Sequence, residues 1–336
     1  MNNQKEKIHR LPITAIAGFL GAGKTTLLNY ILTHNGGLKF GVVVNDYGDI
    51  NVDADLVAAK TDEKLELTNG CICCSLKTLD LQDAIDQFTH PNAGIDYILI
   101  EASGLAQPKD LALTLRNTIG LRVRLDGIVT VLDAYNLEKN ASASDLASEQ
   151  IEYTDFVIIN KTDLISKEKI KQIRQLIKSI NPKARVLEAV SGAVDLRLIL
   201  DQDVFLSHIK EFDESHTHDH VHDQFETFSF SADQPLHPKR FQEFVNTQLP
   251  TTVYRAKGFV DLGSKGHHRK YILQVVGTRA EITYDNWRDS KPATGLVFIG
   301  QNMPQKQILN DLKSCIDEDP DSDMGDIHVQ LPQKAR

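Results

Sequence analysis

Gly18-Phe19-Leu20-Gly21-Ala22-Gly23-Lys24-Thr25 is the stretch on which the reading of this chain turns. It satisfies the eight-residue phosphate-loop pattern in full, and its surroundings agree with it. An apolar run, Ile13 to Ala17, leads in, and a helical pattern, Thr25 to Leu32, leads out. Glycines let successive backbone N–H groups converge on phosphate oxygens, and a helix that begins there adds positive potential. Lys24 supplies a point charge for the phosphates and Thr25 a hydroxyl for Mg²⁺. Gly18, Gly21, Ala22, Gly23, Lys24, Thr25 and Thr26 are therefore the expected phosphate contacts, with Lys24 also acting on the transferred group.

Short apolar runs recur downstream at Phe40 to Val44, Tyr97 to Ile100, Gly127 to Leu132, Phe156 to Ile159 and Val186 to Val190. Helical spacing appears in Leu79 to Phe88, Lys109 to Leu115 and Lys167 to Ile180. Strands alternating with helices predict an α/β domain, a mostly parallel sheet flanked by helices, over residues 1–210. Residues 211–223 are polar, charged and aperiodic, as an exposed linker would be. Beyond them, Phe225 to Phe230, Val253 to Leu262, Tyr271 to Val276 and Gly295 to Ile299 read as strands, with helices near Pro238 to Thr247 and Pro304 to Cys315. That predicts a smaller α+β domain over 224–316. Residues 317–336, acidic at first and poor in apolar residues, read as a mobile tail.

The 336 residues, 41% of them hydrophobic, suffice for a full core, and the formal charge of −9 argues against a surface that captures nucleic acid or anionic membrane. Three of the four cysteines are crowded into Cys71 to Cys74, so no disulfide framework exists, and a reducing compartment such as the cytoplasm is expected. Lys5, Lys7 and Arg10 ahead of an apolar stretch imitate a secretory signal. The stretch runs directly into the phosphate loop, which favours a strand instead. No segment has the run of about 20 apolar residues that a membrane-spanning helix needs.

Asn160-Lys161-Thr162-Asp163 follows the Phe156 to Ile159 run, where the base of a guanine nucleotide is read. Asp163 is expected to pair with N1–H and N2–H of guanine, which adenine does not present, so GTP and GDP are the expected nucleotides. Ser191, in Ser191-Gly192-Ala193, is a candidate to complete the base pocket. Glu101 ends the Tyr97 run and is expected to hold Mg²⁺ through water or to orient the attacking water. Asp46, Asp49 and Asp53 lie in the loop after the second strand and are candidates for Mg²⁺ or a second metal, with Asp46 the one taken for Mg²⁺. No obvious catalytic glutamine or arginine finger accompanies these residues, so slow intrinsic hydrolysis is expected.

Cys71-Ile72-Cys73-Cys74 concentrates three soft thiol donors, which suit Zn²⁺ and Cu⁺; a redox-active cluster or buried cysteines are the alternative. An extended segment would put Cys71 and Cys73 on one face, with Cys74 reaching in from a turn. Three thiolates leave a fourth coordination position open, as an exchangeable metal requires. His216, His218, His220 and His222 alternate in the linker and could collect metal weakly as auxiliary ligands. Cys315 reads as a core residue, and His267 and His268 as exposed neighbours of the turn Gly263-Ser264-Lys265-Gly266.

Taken in order, the phosphate loop, Cys-x-Cys-Cys, Glu101-Ala102-Ser103-Gly104, Asn-Lys-Thr-Asp and the His-rich linker resemble the CobW-type metallochaperone GTPases. These are related to the nickel-insertion GTPases of urease and hydrogenase. Arg255-Ala256-Lys257-Gly258-Phe259, Trp287 and Leu296-Val297-Phe298-Ile299-Gly300 resemble that family's C-terminal domain. The resemblance implies a GTPase that binds zinc, or in some members cobalt, at Cys71, Cys73 and Cys74 and passes it to a client metalloprotein. A GTP-regulated zinc-sensing module without transfer, or a cobalt chaperone for corrin biosynthesis, stands as the alternative. The family's Asn-Glu-Phe-Gly-Glu loop reads Asn45-Asp46-Tyr47-Gly48-Asp49 here, Asn51 replaces a glycine, and Ala102 stands where Ser or Thr is common.

Overall fold

The computed structural model describes residues 10–44, 65–67, 71–75, 81–90, 92–102, 122–137, 145–201, 225–277, 279–287 and 291–318. The chain divides into two compact units, Met1–Val221 and His222–Arg336.

The strands of the first unit are β1 (Leu11–Gly18), β2 (Phe40–Val44), β3 (Leu65–Leu67), β4 (Cys71–Ser75), β5 (Tyr97–Glu101), β6 (Val123–Asp133), β7 (Phe156–Asn160) and β8 (Arg185–Glu188). They form one sheet in the order β3-β4-β2-β5-β1-β6-β7-β8. Every neighbouring pair is parallel except β3 with β4 at the edge. The described helices of this unit are α1 (Lys24–Thr33), α2 (Leu81–Phe88), α3 (Asp145–Glu152), α4 (Lys167–Ile180) and α5 (Leu196–Ile199). Strands β2, β5 and β7 are buried along their whole length, which explains why their sequences are continuous apolar runs rather than alternating ones.

Helix α4 shows how the local sequence sets its element. Ser166 caps the N-terminus by accepting from Lys169 N–H, Glu168 lies in the first turn and Lys178 in the last. Ile173 and Ile177, four residues apart, are buried against Val157 and Ile159. Helix α2 packs so tightly that a Cβ on Gly41 would come within 2.7 Å of the Phe88 ring.

At the opposite end of the sheet from the phosphate loop, Asp126 is the extra residue where the β1–β6 register shifts. Tyr97 donates its hydroxyl proton to Asp126 Oδ2 at 2.5 Å, lies 2.8 Å from Thr14 Oγ1, and accepts from Asp201 N–H at 3.2 Å. Arg124 pairs with both Asp126 and Asp201. Burial opposes the charge on Arg124, but the two carboxylates outweigh it and raise its pKa above the ordinary guanidinium value.

In the second unit, β9 (Glu226–Ala232), β10 (Val253–Asp261), β11 (Arg269–Val276), β12 (Arg279–Asn286) and β13 (Thr294–Gly300) form an antiparallel sheet in the order β12-β11-β10-β13-β9. Helix α6 (Pro238–Glu243) runs into one π-helical turn, Phe244–Gln248, and α7 (Gln305–Ser314) follows the last strand. Phe241, Phe244, Leu273, Phe298, Ile308 and Leu312 form the core between them, and Cys315 is buried with them.

Several elements differ from the sequence reading. The expected Val186 to Val190 strand ends at Glu188, because Ser191 and Gly192 turn the chain with positive φ values of 51° and 73°. Cys74 lies inside a regular strand rather than in a turn. Strand β12 and the short edge strand β3 were not expected. The Lys109 to Leu115 helix, the linker histidines and residues 319–336 fall outside the described residues, whereas Asp317, the first residue of the expected tail, is buried and donates its N–H to Pro235 O at 2.9 Å.

Candidate functional site

Parallel strands place all their C-terminal ends on one edge, and an α/β sheet binds its ligands along that edge. Gly18, Val44, Ser75, Glu101, Asp133, Asn160 and Glu188 end the seven parallel strands here. The phosphate loop, the cysteine strand, Glu101 and the Asn160 motif are therefore brought to a common border.

The phosphate loop leaves β1, the central strand, and enters α1. Gly18, Gly21 and Gly23 take φ values of 141°, 74° and 102°, a region side chains disfavour. A Cβ on Gly18 would stand 2.3 Å from Val131 O, and one on Gly23 would stand 2.3 Å from Asn160 Nδ2. No side chain caps α1 and no acidic residue lies in its first turn, so the amide groups of that turn stay available to an anion. Lys24 is buried and donates to Phe19 O at 3.3 Å across the loop. Thr26 is exposed on the first turn. This donor set fits the phosphates of a nucleotide.

Asn160 ties the phosphate loop to the Ser191-Gly192 turn. Its Nδ2 donates to Ala22 O at 3.0 Å, and its Oδ1 accepts from Gly192 N–H at 3.0 Å. Gly192 presses against α1, where a Cβ would meet Leu27 backbone at 2.9 Å. Lys161 follows in a left-handed conformation, φ 61°, which costs a non-glycine residue roughly 1–2 kcal/mol. Its ammonium donates to Gly21 O at 2.9 Å and to Asp133 Oδ2 at 2.7 Å. Asp163 lies exposed on the single 3₁₀ turn Thr162–Leu164. Thr162 fastens that turn, donating from Oγ1 to Ala189 O at 3.0 Å. Ser191 lies between Val190 and Gly192 in this same loop cluster.

Thr25 donates its hydroxyl proton to Glu101 Oε1 at 2.9 Å. A hydroxyl beside a buried carboxylate, at the end of the phosphate loop, is a donor pair suited to a hard cation such as Mg²⁺. Two strands away lies β4, which carries Cys71, Cys73 and Cys74; Cys73 stands opposite Val42 and Cys74 opposite Val43.

Among the described residues, no three His, Cys, Asp or Glu side chains cluster as a metal site. The cysteine side chains, Asp46, Asp49, Asp53 and His216, His218, His220 and His222 lie outside what is described. His267 and His268 follow the hairpin turn with left-handed φ values of 53° and 51°.

Asp133 is the site residue that the sequence reading missed. It ends β6 as Glu101 ends β5 and Asn160 ends β7, so its place after the Gly127 to Leu132 run was the available signal. Burial alone would raise its carboxyl pKa, but the bonds from Lys161 and Asn136 and the Lys161 charge hold it below its ordinary value. Equally unforeseen are four exposed apolar side chains, Leu20, Tyr135, Leu164 and Val190, on the loops that carry these motifs.

Residues 12–188 match the family described as CobW/HypB/UreG, nucleotide-binding domain, and residues 225–316 match the cobalamin synthesis protein cobW C-terminal domain. The chain is similar to the zinc-regulated GTPase metalloprotein activator 1 of Dictyostelium discoideum, 32% identical over 94% of this chain and 83% of the relative. It is also similar to the zinc chaperone CobW of a Sinorhizobium species, 31% identical over 87% of this chain and 93% of that protein. The zinc chaperone YjiA of Escherichia coli strain K12 is 29% identical over 89% of this chain and 96% of its own length. With a full-length relative above 30% identity and both domains matched, the chain belongs to the CobW/HypB/UreG family of nucleotide-binding proteins.

Proposed function

We propose that this chain is a zinc-handling GTPase of the metallochaperone type, which couples GTP binding and hydrolysis to transfer of zinc to a client metalloprotein. The chain is a Mg²⁺-dependent GTPase in this reading. Gly18 to Thr26 receive the phosphates, Asp163 reads guanine with Asn160, Lys161 and Ser191 around it, and Glu101 orients the attacking water. Bound at Thr25, Mg²⁺ would neutralise charge on the β- and γ-phosphates. Lys24 adds its own charge on the phosphates, and Asn160 holds the loop against the base segment.

Zinc is the cargo, taken by Cys71, Cys73 and Cys74. Three proteins similar to this one over most of its length are named as zinc chaperones or zinc-regulated activators. The observation that carries the coupling is the lateral order of the sheet. Val44 stands beside both Glu101 and Ser75, and Val43 beside both Ile100 and Cys74. The cysteine strand and the Glu101 strand thus flank one shared neighbour, about 9.5 Å apart. Through Thr25 the Glu101 strand meets the phosphate loop, so a change at the γ-phosphate has a short route across the sheet to the cysteine strand. No described helix is long and apolar enough to cross a membrane, and the cysteine usage suits the cytoplasm.

Zinc release tests the reading. Zinc-loaded protein is mixed with a chromophoric chelator and either GTP or a non-hydrolysable analogue. Faster release during GTP turnover is expected, and equal release with both nucleotides would contradict delivery driven by hydrolysis.

A further inference from the structure

We infer that Asp133 is a positioning residue for guanine nucleotide, acting through Lys161, whose left-handed backbone presents Asp163 beside the phosphate loop. The inference rests on the GTPase reading above.

Asp133 is 4% exposed, and its carboxylate accepts four hydrogen bonds. Oδ1 accepts from Tyr135 N–H at 2.9 Å and Asn136 N–H at 3.0 Å; Oδ2 accepts from Asn136 Nδ2 at 3.0 Å and Lys161 Nζ at 2.7 Å. It stands level with Asn160 across the β6–β7 pair. One carboxylate therefore fixes the turn after β6, and through Lys161 it reaches the loop after β7.

Lys161 has a second anchor in Gly21 O, at the crest of the phosphate loop. A lysine holding only that carbonyl could swing on its four-carbon stem. With Asp133 as the second acceptor, the ammonium is confined between two fixed oxygens. The confinement opposes relaxation of the unfavourable left-handed backbone, and Asp163 is two residues further along. Asp133 thus touches neither phosphate nor base, yet it sets the distance between the residues that do. Both GDP and GTP use that base contact, so both should feel its loss.

The test compares wild-type, Asp133→Asn and Asn136→Ala proteins by titration with fluorescently labelled GDP, by steady-state GTP hydrolysis and by thermal unfolding. Asparagine keeps an oxygen for the Tyr135 and Asn136 N–H groups and removes the charge facing Lys161. Asp133→Asn should weaken GDP binding about tenfold, the scale of one charge-assisted hydrogen bond. The KM for GTP should rise by the same factor, with kcat at saturation changing less than about twofold. Asn136→Ala should bind GDP like wild type. Equal weakening by Asn136→Ala would place the effect in the turn and overturn the inference. Unchanged affinity in Asp133→Asn would overturn it and leave the GTPase reading standing. A wild-type protein that binds no guanine nucleotide would sink both. If Asp133→Asn does not fold, Asp133→Ser, which keeps an oxygen acceptor for the turn and carries no charge for Lys161, is titrated instead and read by the same outcomes.

Discussion

Thr25 and Glu101 meet at the border of the sheet, where the threonine hydroxyl donates to Glu101 Oε1 at 2.9 Å. The start of α1 and the end of β5 are joined at that point, although 76 residues separate them in sequence. A phosphate-bound Mg²⁺ would take its protein ligand from this pair, and an attacking water would need the same carboxylate.

Replacing Glu101 by Gln keeps the shape and removes the charge. Turnover should fall about 100-fold or more, the scale of a lost positioned acid–base group. GDP affinity should stay within about threefold, because GDP binding does not require the attacking water. Single-turnover GTP hydrolysis and GDP titration separate these effects. Turnover within about twofold of wild type would restrict Glu101 to a structural role.

Gly23→Ala tests the loop geometry. The new Cβ would meet Asn160 Nδ2 at 2.3 Å, and the residue's φ of 102° is itself unfavourable for alanine. Relief requires either the loop or Asn160 to move, and both are fixed by the Ala22 and Gly192 bonds. GDP affinity should drop about tenfold or more by calorimetric titration. An alanine variant that binds normally would show that this junction does not shape the site.

Tyr97→Phe addresses the buried polar group at the far end of the sheet. It removes the hydroxyl that serves Asp126, Thr14 and Asp201 and leaves a buried carboxylate one partner short. The expected loss is about 1–3 kcal/mol of stability, read from denaturant unfolding. A neutral result would mean that the remaining partners, Arg124 among them, satisfy the cluster.

Cys315 gives a pH prediction with a definite sign. Burial pushes its thiol up to about 11 from an ordinary 9.0. The folded state favours the neutral thiol, so its contribution to stability is full below pH 9 and declines as pH rises between those two values. At pH 8, iodoacetamide should leave Cys315 unmodified in the folded protein and alkylate it in denaturant, as peptide mass mapping would report. Rapid alkylation in the native state would contradict its burial.

Strands β2, β5 and β7 were legible in the sequence because they are buried on both faces. Continuous runs such as Phe40–Val44 and the capped period of Lys167–Ile180 carry their own boundaries. The phosphate loop and Asn160 motif were readable because their chemistry needs fixed residues at fixed spacing. Strand β12 was obscure, since an edge strand exposes much of its length and alternates only Ala280, Ile282 and Tyr284 among polar residues. Asp133 was obscure for a different reason. A single acid at a strand end has no pattern of its own, and its partner lies 28 residues away. The strand character of Cys74 depended on pairing with β2, which the four-residue cluster could not reveal.

In the proposed function, nucleotide state and zinc affinity are linked through β5, β2 and β4. Linkage requires each ligand to change the affinity of the other by the same factor. The most direct measurement is the Zn²⁺ dissociation constant of the full chain with a non-hydrolysable GTP analogue and again with GDP, under matched Mg²⁺. Constants that differ by about fivefold or more, the lower end of ordinary coupling energies, are expected. Equal constants in the two nucleotide states would contradict the linkage.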